Sequence, residues 1–209
     1  MNAIAAVTLE VADLPAAERF YSASGLGAHV RLRATDAPAT GFRGFSLSLT
    51  VSRPADVRHL LDAALDAGAT SLKPASKSFW GYGGVVRAPD GTIWKVATSE
   101  KKDTGPVTGR VDAFVLLLGT ADVAESRKFY VGRGLTVAKS FGRKYVEFAA
   151  APESPVKLAL YGRRALAKDV GVPVDGEGSH RLVLGGEDGG SFTDPDGFAW
   201  EAASVAVTS

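Results

Sequence analysis

Residues 3–11 form a β-branched and aliphatic run that predicts a strand. Asp13 is placed to cap a following helix, Pro15 fits its first turn, and Ala17, Phe20 and Tyr21 share one face before Gly25 stops it. Residues 29–33 predict a short strand with outward arginines, residues 35–41 are rich in turn formers, and residues 45–51 predict another strand. Pro54 opens the clearest helix: Val57, Leu60, Leu61, Ala64 and Leu65 lie on the single stripe of a 3.6-residue period, and Gly68 follows as the cap. Strands are expected at 71–72, 83–88 and 92–98, and the polar stretch 101–106 reads as a linker. Beyond it come a strand at 111–118 and a helix capped by Asp122 with Glu125 in capping-box register. Strands at 135–139, 145–148 and 156–161, a short helix at 163–169, and strands at 181–184 and 198–203 complete the chain.

The two halves repeat one pattern. Asp13-Leu14, Phe20-Tyr21 and Gly25-Leu26 recur as Asp122-Val123, Phe129-Tyr130 and Gly134-Leu135 at the same internal spacing. Each half then ends in a Pro-Asp-Gly turn and a tryptophan, Pro89-Asp90-Gly91 with Trp94-Lys95 and Pro195-Asp196-Gly197 with Trp200-Glu201. An ordered self-match of this kind marks an internal duplication. It divides the chain into domains at 1–100 and 110–209 with a linker at 101–109. No amphipathic helix fits between His180 and Glu201, and the first half is short of strands between Arg33 and Phe45. Each half is therefore expected to hold one full βαβββ unit and one abbreviated unit.

Composition narrows the chemistry. The chain has 209 residues, no cysteine and a net charge of +1. Thiolate metal sites, disulfides and cysteine nucleophiles are excluded, and the charge balance gives no reason to expect nucleic acid. No apolar run reaches the roughly 18 residues of a membrane span, and the first residues lack a basic leader, so a cytoplasmic protein without a membrane partner is expected. With three histidines and no Gly-x-Ser-x-Gly elbow, a nucleophilic triad has no support.

The order strand, Asp-aliphatic, helix ending in Phe-Tyr, Gly-Leu, and then Asp194-Pro195-Asp196-Gly197-Phe198-Ala199-Trp200-Glu201 resembles the vicinal oxygen chelate superfamily, which includes glyoxalase I, bleomycin-resistance proteins and extradiol dioxygenases. The similarity is to tandem-domain glyoxalase-like proteins and covers nearly the whole chain. It implies an α+β fold of paired βαβββ modules curling around a cleft. In metal-dependent members it also implies a divalent ion held by residues of four strands. Carried over position by position, the ligands fall at Ala6, Ser46, Lys95, Val115 and Ala159, none of them competent, and at His180 and Glu201, which are. Two protein ligands fall short of the usual three plus water. No metal cofactor is expected; the alternative is a Zn, Ni, Mn or Fe ion on His180 and Glu201.

Three groups of residues carry candidate chemistry. His180 and Glu201 could act as an acid/base pair or a reduced metal site, against the plain reading of a strand-edge histidine and a solvated carboxylate. Lys73, Lys77, Phe79, Trp80, Tyr82, Trp94 and Lys95 combine aromatics, neighbouring glycines and amines suited to stacking a planar ligand; the plain reading is core filling. Lys144 and Lys157, with Lys139, could line a face for a carboxylate or phenolate, against a solvated basic face. The expected function is binding of a small aromatic or anionic metabolite by a monomer or homodimer, such as sequestration of a toxic natural product. A metal-dependent lyase or isomerase using His180 and Glu201, and a regulatory module, stay open.

Overall fold

The computed structural model describes residues 4–152, 154–186 and 190–202. The expected strand ends at Ala3 and Ala203 lie outside the described residues. The first half runs β1 (Ile4–Val11), α1 (Leu14–Ser24), β2 (Arg31–Ala34), β3 (Ala39–Gly41), β4 (Phe45–Val51), α2 (Pro54–Asp66), β5 (Thr70–Ser78), β6 (Gly81–Arg87) and β7 (Ile93–Thr98). The second runs β8 (Val111–Thr120), α3 (Val123–Gly132), β9 (Val137–Phe141), β10 (Tyr145–Phe148), β11 (Lys157–Gly162), α4 (Arg163–Val170), β12 (Gly176–Gly178), β13 (Leu182–Gly186), β14 (Phe192–Thr193) and β15 (Ala199–Ala202). Asp13 and Asp122 cap α1 and α3 through their carboxylates, as their spacing predicts.

Two complete βαβββ units, β4-α2-β5-β6-β7 and β8-α3-β9-β10-β11, join through the antiparallel pair β4–β8 into one eight-stranded sheet ordered β5-β6-β7-β4-β8-β11-β10-β9. The abbreviated units join through β1–β13 into a five-stranded sheet ordered β14-β15-β13-β1-β2. Each sheet takes one unit from each half. The sequence repeat at 1–100 and 110–209 therefore does not coincide with the sheets. The halves interleave because the first strand of each unit, apolar along its length, would be left as an open edge unless another unit's first strand paired with it. The turn-rich stretch at 35–41 also contributes β3, which pairs with β12 across the halves; both strands are glycine-containing and carry no β-propensity signal. Among the described residues there is no helix between β13 and β15, as expected for the abbreviated unit.

The duplicated signature ties these sheets together. Trp94 on β7 is fully buried, and its indole N–H donates to the Tyr21 hydroxyl of α1, which donates to Asp90 at 3.2 Å. In the second half, Trp200 donates to Tyr130 at 3.2 Å and Tyr130 donates to Asp194 at 2.6 Å. Each triad links a complete unit to an abbreviated one within the same half, across the two sheets. Truncating either tryptophan should cost about 3–5 kcal/mol of stability. What repeats in the sequence is thus a structural clamp.

Candidate functional site

The strand register decides which residues share a face. On the side of the eight-stranded sheet away from α2 and α3, one row runs Lys73, Val85, Lys95, Ser48, Val115, Lys157 across six strands. Part of this face is covered by α4. Leu166, Ala167 and Val170 of α4 are buried with Val85 and Ile93 of the sheet, and Leu117 and Tyr161 pack alongside. Two lysines of the row hold the helix down. Lys95 forms an ion pair with Asp169 at 2.7 Å, and the Lys73 ammonium donates to the Lys168 and Asp169 carbonyls, a cation placed where a helix end presents unpaired carbonyls.

Beside the C-terminus of α4 the sheet stays open as a cleft of about 310 Å³. Its floor is made of small residues, among them Ser76, Gly83 and Ala97, and the Lys95–Asp169 pair and Lys73 form one wall. Trp80 borders it from the β5–β6 hairpin with 83% of its surface exposed. A side chain at Gly83 would press on the Val96 carbonyl and the Ala97 methyl, so glycine keeps this floor flat. The site thus offers an accessible indole, an apolar floor and an amine whose partner carboxylate is itself part-exposed.

Not all the expected residues converge here. Trp80 and Lys95 do. Tyr82 borders the cleft, but its ring lies 5.9 Å below the Arg58 guanidinium of α2. Trp94 is in the core, because β7 alternation sends it to the face opposite Lys95. Lys77 pairs with Tyr82 and so falls between Ser76 and Ser78, on the other face. Lys157 shares the Lys95 face but stands three strands away, about 14 Å. Lys144 sits in the β9–β10 turn at the opposite end of the β10–β11 hairpin from Lys157, its carbonyl accepting from Gly162. Lys73, a member of the aromatic-basic segment singled out in the sequence, also lines the cleft, whereas Asp169 was not foreseen as a site residue. The signal for Asp169 is the apolar stripe Leu166, Ala167, Val170, which marks α4 as a helix with a face to bury.

His180 and Glu201 are not brought together. Glu201 pairs with Gly185 in β13, whereas His180 lies before the start of that strand at Leu182, and the two side chains have different partners. The His180 ring stacks on Phe198 with centroids 4.0 Å apart, and its two nitrogens face the Arg43 and Asp196 carbonyls at 2.5 and 3.1 Å. It fastens the β12–β13 connection to two loops. Glu201 instead meets Arg33, whose guanidinium donates to its two carboxylate oxygens at 3.1 and 3.0 Å and to Glu10 at 2.8 Å. These two carboxylates hold the Arg33 guanidinium above its ordinary range, Glu201 first.

A divalent ion of the kind the fold implies does not fit these residues. On the five-stranded sheet, the neighbours of Glu201 along its row are Gly185 and Ala6, which have no ligating atom. The space between Glu201 and Glu10 is taken by a guanidinium. On the eight-stranded sheet, the positions that the resemblance marks, Ser46, Lys95, Val115 and Ala159, include no carboxylate or imidazole. Among the described residues no three His, Asp or Glu side chains are grouped closely enough to hold a metal.

Neither a protein-family model nor a curated protein matches the sequence. Solved structures do match the fold. A glyoxalase I mutant from Zea mays superimposes with a TM-score of 0.61 at 15% identity, covering 95% of this chain and 90% of that one. Unmutated Zea mays glyoxalase I gives 0.59 at 13% identity, with the same coverage of both chains. A putative dioxygenase from Bacillus subtilis gives 0.58 at 11% identity, covering 89% of this chain and 70% of that one. No helix among the described residues is long and apolar enough to cross a membrane. The paired βαβββ units and these superpositions together show that the chain shares the fold of glyoxalase I over almost its whole length.

Proposed function

We propose that this protein binds a small planar molecule carrying a negative charge, without a metal, in the cleft between β5, β6, β7 and the end of α4. The observation that carries this reading is the placement of exposed Trp80 beside a floor of Ser76, Gly83 and Ala97, with Lys95 at its wall. An aromatic ring on that floor can stack against the indole, a contact worth about 0.5–1.5 kcal/mol beyond its buried area. A carboxylate or phenolate on the ring would compete with Asp169 for the Lys95 ammonium, gaining a charge-assisted hydrogen bond. A cleft of about 310 Å³ is at the small end of ligand sites, which start near 300 Å³. One or two fused rings suit it better than a large natural product. The metal-dependent lyase or isomerase reading draws no comparable support, since His180 and Glu201 are apart and Glu201 is held by Arg33.

The test is calorimetric titration of the full chain with 2-naphthoate, with uncharged naphthalene-methanol as the comparison ligand. Saturable binding of the acid is expected, weakened about tenfold by Trp80→Ala and by Lys95→Ala. The uncharged ligand should bind more weakly to the wild type and be indifferent to Lys95→Ala. No saturable binding, or binding of the acid that neither substitution changes, would refute the assignment.

A further inference from the structure

A second cavity, of about 220 Å³, lies where the β6–β7 turn meets β3 and the start of β13, and three arginines line it: Arg43, Arg87 and Arg181. It is separate from the cleft, since Arg87 is four residues along β6 from Gly83, about 13 Å. Liquid water takes roughly 30 Å³ per molecule, so a group the size of a tetrahedral oxyanion has room here.

Arg43 is the unusual member. Its side chain is 6% exposed, an environment where a charge is costly unless paired. One guanidinium nitrogen donates to the Thr92 hydroxyl at 2.6 Å, yet the other terminal nitrogen, Nη1, is buried with no hydrogen-bond partner. The nearest carboxylate, Asp90, stays 3.8 Å away and is already engaged by the Tyr21 hydroxyl and by the amide and hydroxyl of Thr92. Burial lowers the Arg43 pKa, with a further push from the Arg181 charge, while Asp90 and Tyr21 oppose the shift. Arg181 is the one non-glycine residue with positive φ among the described residues, at 52°. That backbone region is uncommon for a side chain of this size, and such residues cluster at ligand sites. Its guanidinium is braced by two hydrogen bonds to the Ala37 carbonyl. Arg87 is exposed, and among the described residues its side chain has neither an ion pair nor a hydrogen-bond partner.

Among the described residues lining the cavity, three guanidinium charges face one carboxylate, an excess of two positive charges. We infer that this cavity is a binding site for a phosphoryl dianion, held by the guanidinium groups of Arg43, Arg87 and Arg181. A phosphate monoester carries nearly two negative charges near neutral pH and accepts from guanidinium forks in paired geometry. It would relieve the repulsion between Arg43 and Arg181. A monocarboxylate would supply half that charge.

The experiment titrates the full chain with inorganic phosphate and, separately, methyl phosphate, at constant ionic strength set with chloride. Acetate serves as the monoanion control, and binding is read by calorimetry and by the rise in Tm. Saturable binding of at least one phosphate compound with a Kd below about 1 mM is expected, and acetate should be weaker. Arg87→Gln removes an exposed, unpartnered side chain, so it should leave the ligand-free Tm unchanged and weaken phosphate binding at least about tenfold. Arg87→Lys, which keeps the charge but not the fork, should fall between the two. Equal affinity for both phosphate compounds assigns the site to the free ion, and tighter binding of methyl phosphate assigns it to an esterified phosphoryl group. No binding of either, acetate binding as tightly, or binding that Arg87→Gln leaves intact would overturn the proposal.

Discussion

Tyr130→Phe should destabilise this protein much more than Tyr21→Phe, although the two tyrosines occupy equivalent places in the repeat. Neither change opens a cavity, since only a hydroxyl is removed from a ring that stays buried. Among the described residues, the Tyr130 hydroxyl is the sole donor to Oδ2 of Asp194, at 2.6 Å, and the sole acceptor for the Trp200 indole N–H. Losing a hydrogen bond to a charged group costs about 1.5–3 kcal/mol, and stranding a buried N–H costs about 1–3 more. Because the two share one hydroxyl they do not add in full, and about 3 kcal/mol is the expected sum. At Tyr21 both bonds are longer, 3.2 Å to Asp90 and 3.4 Å from Trp94. Asp90 also keeps the amide and hydroxyl of Thr92 as donors, so about 1 kcal/mol is expected there. Urea unfolding followed by tryptophan fluorescence and far-UV circular dichroism measures both, with the slope m unchanged if the denatured state is the same. The pH dependence supplies a second check. Burial raises the Asp194 pKa, and the Tyr130 hydroxyl and the Phe198 amide work to lower it. The penalty of Tyr130→Phe should therefore be full where Asp194 is ionised and shrink as acid protonates it. A Tyr21→Phe cost equal to or above that of Tyr130→Phe, or a Tyr130→Phe cost that does not fall in acid, would refute the reasoning.

Other outcomes follow from the same contacts. Burial acts to raise the Asp56 pKa, but amide bonds from Thr108 and Gly109 and the Thr108 hydroxyl outweigh it and leave the carboxyl below its ordinary value. Its contribution to stability is therefore present above about pH 4 and lost as pH falls through the folded pKa; the gap between wild type and Asp56→Asn in chemical unfolding should narrow over that acid range. Leu166→Ala in α4 should cost about 2–5 kcal/mol, because the side chain is wholly buried against the large sheet. Trp80→Ala should shift stability by less than about 0.5 kcal/mol, as expected of an exposed side chain, and thermal melts of the pair separate the two roles. Added Zn, Ni, Mn or Fe ions should leave Tm unchanged, since a bound ion would raise it and Arg33 already occupies the space between Glu10 and Glu201.

Much of the architecture could be read from the chain. The 3.6-residue stripe of α2, the aspartate caps of α1 and α3, and the duplicated Phe-Tyr and Pro-Asp-Gly-x-x-Trp signatures are local patterns. Periodicity, capping and turn chemistry act within a few residues, so sequence alone determines them. The resemblance drawn from those signatures also gave the fold that the superpositions show. Within the candidate cleft, Trp80 and Lys95 were visible for the same reason, as an aromatic-glycine hairpin and a strand lysine.

Pairing and facing were decided only in three dimensions. Nothing in the sequence distinguishes a β4–β8 pairing from separate halves, because both bury the same apolar strands; closing the exposed edges decides it. Adjacent residues of a strand point to opposite faces, so Trp94 entered the core while Lys95 reached α4. His180 and Glu201 were drawn together by their place in a motif, but the fold gave each a different structural partner. Arg43, Arg87 and Arg181 are ordinary surface-type residues along the chain. Their convergence depends on strands from both halves meeting at one turn, a long-range juxtaposition that local pattern does not encode.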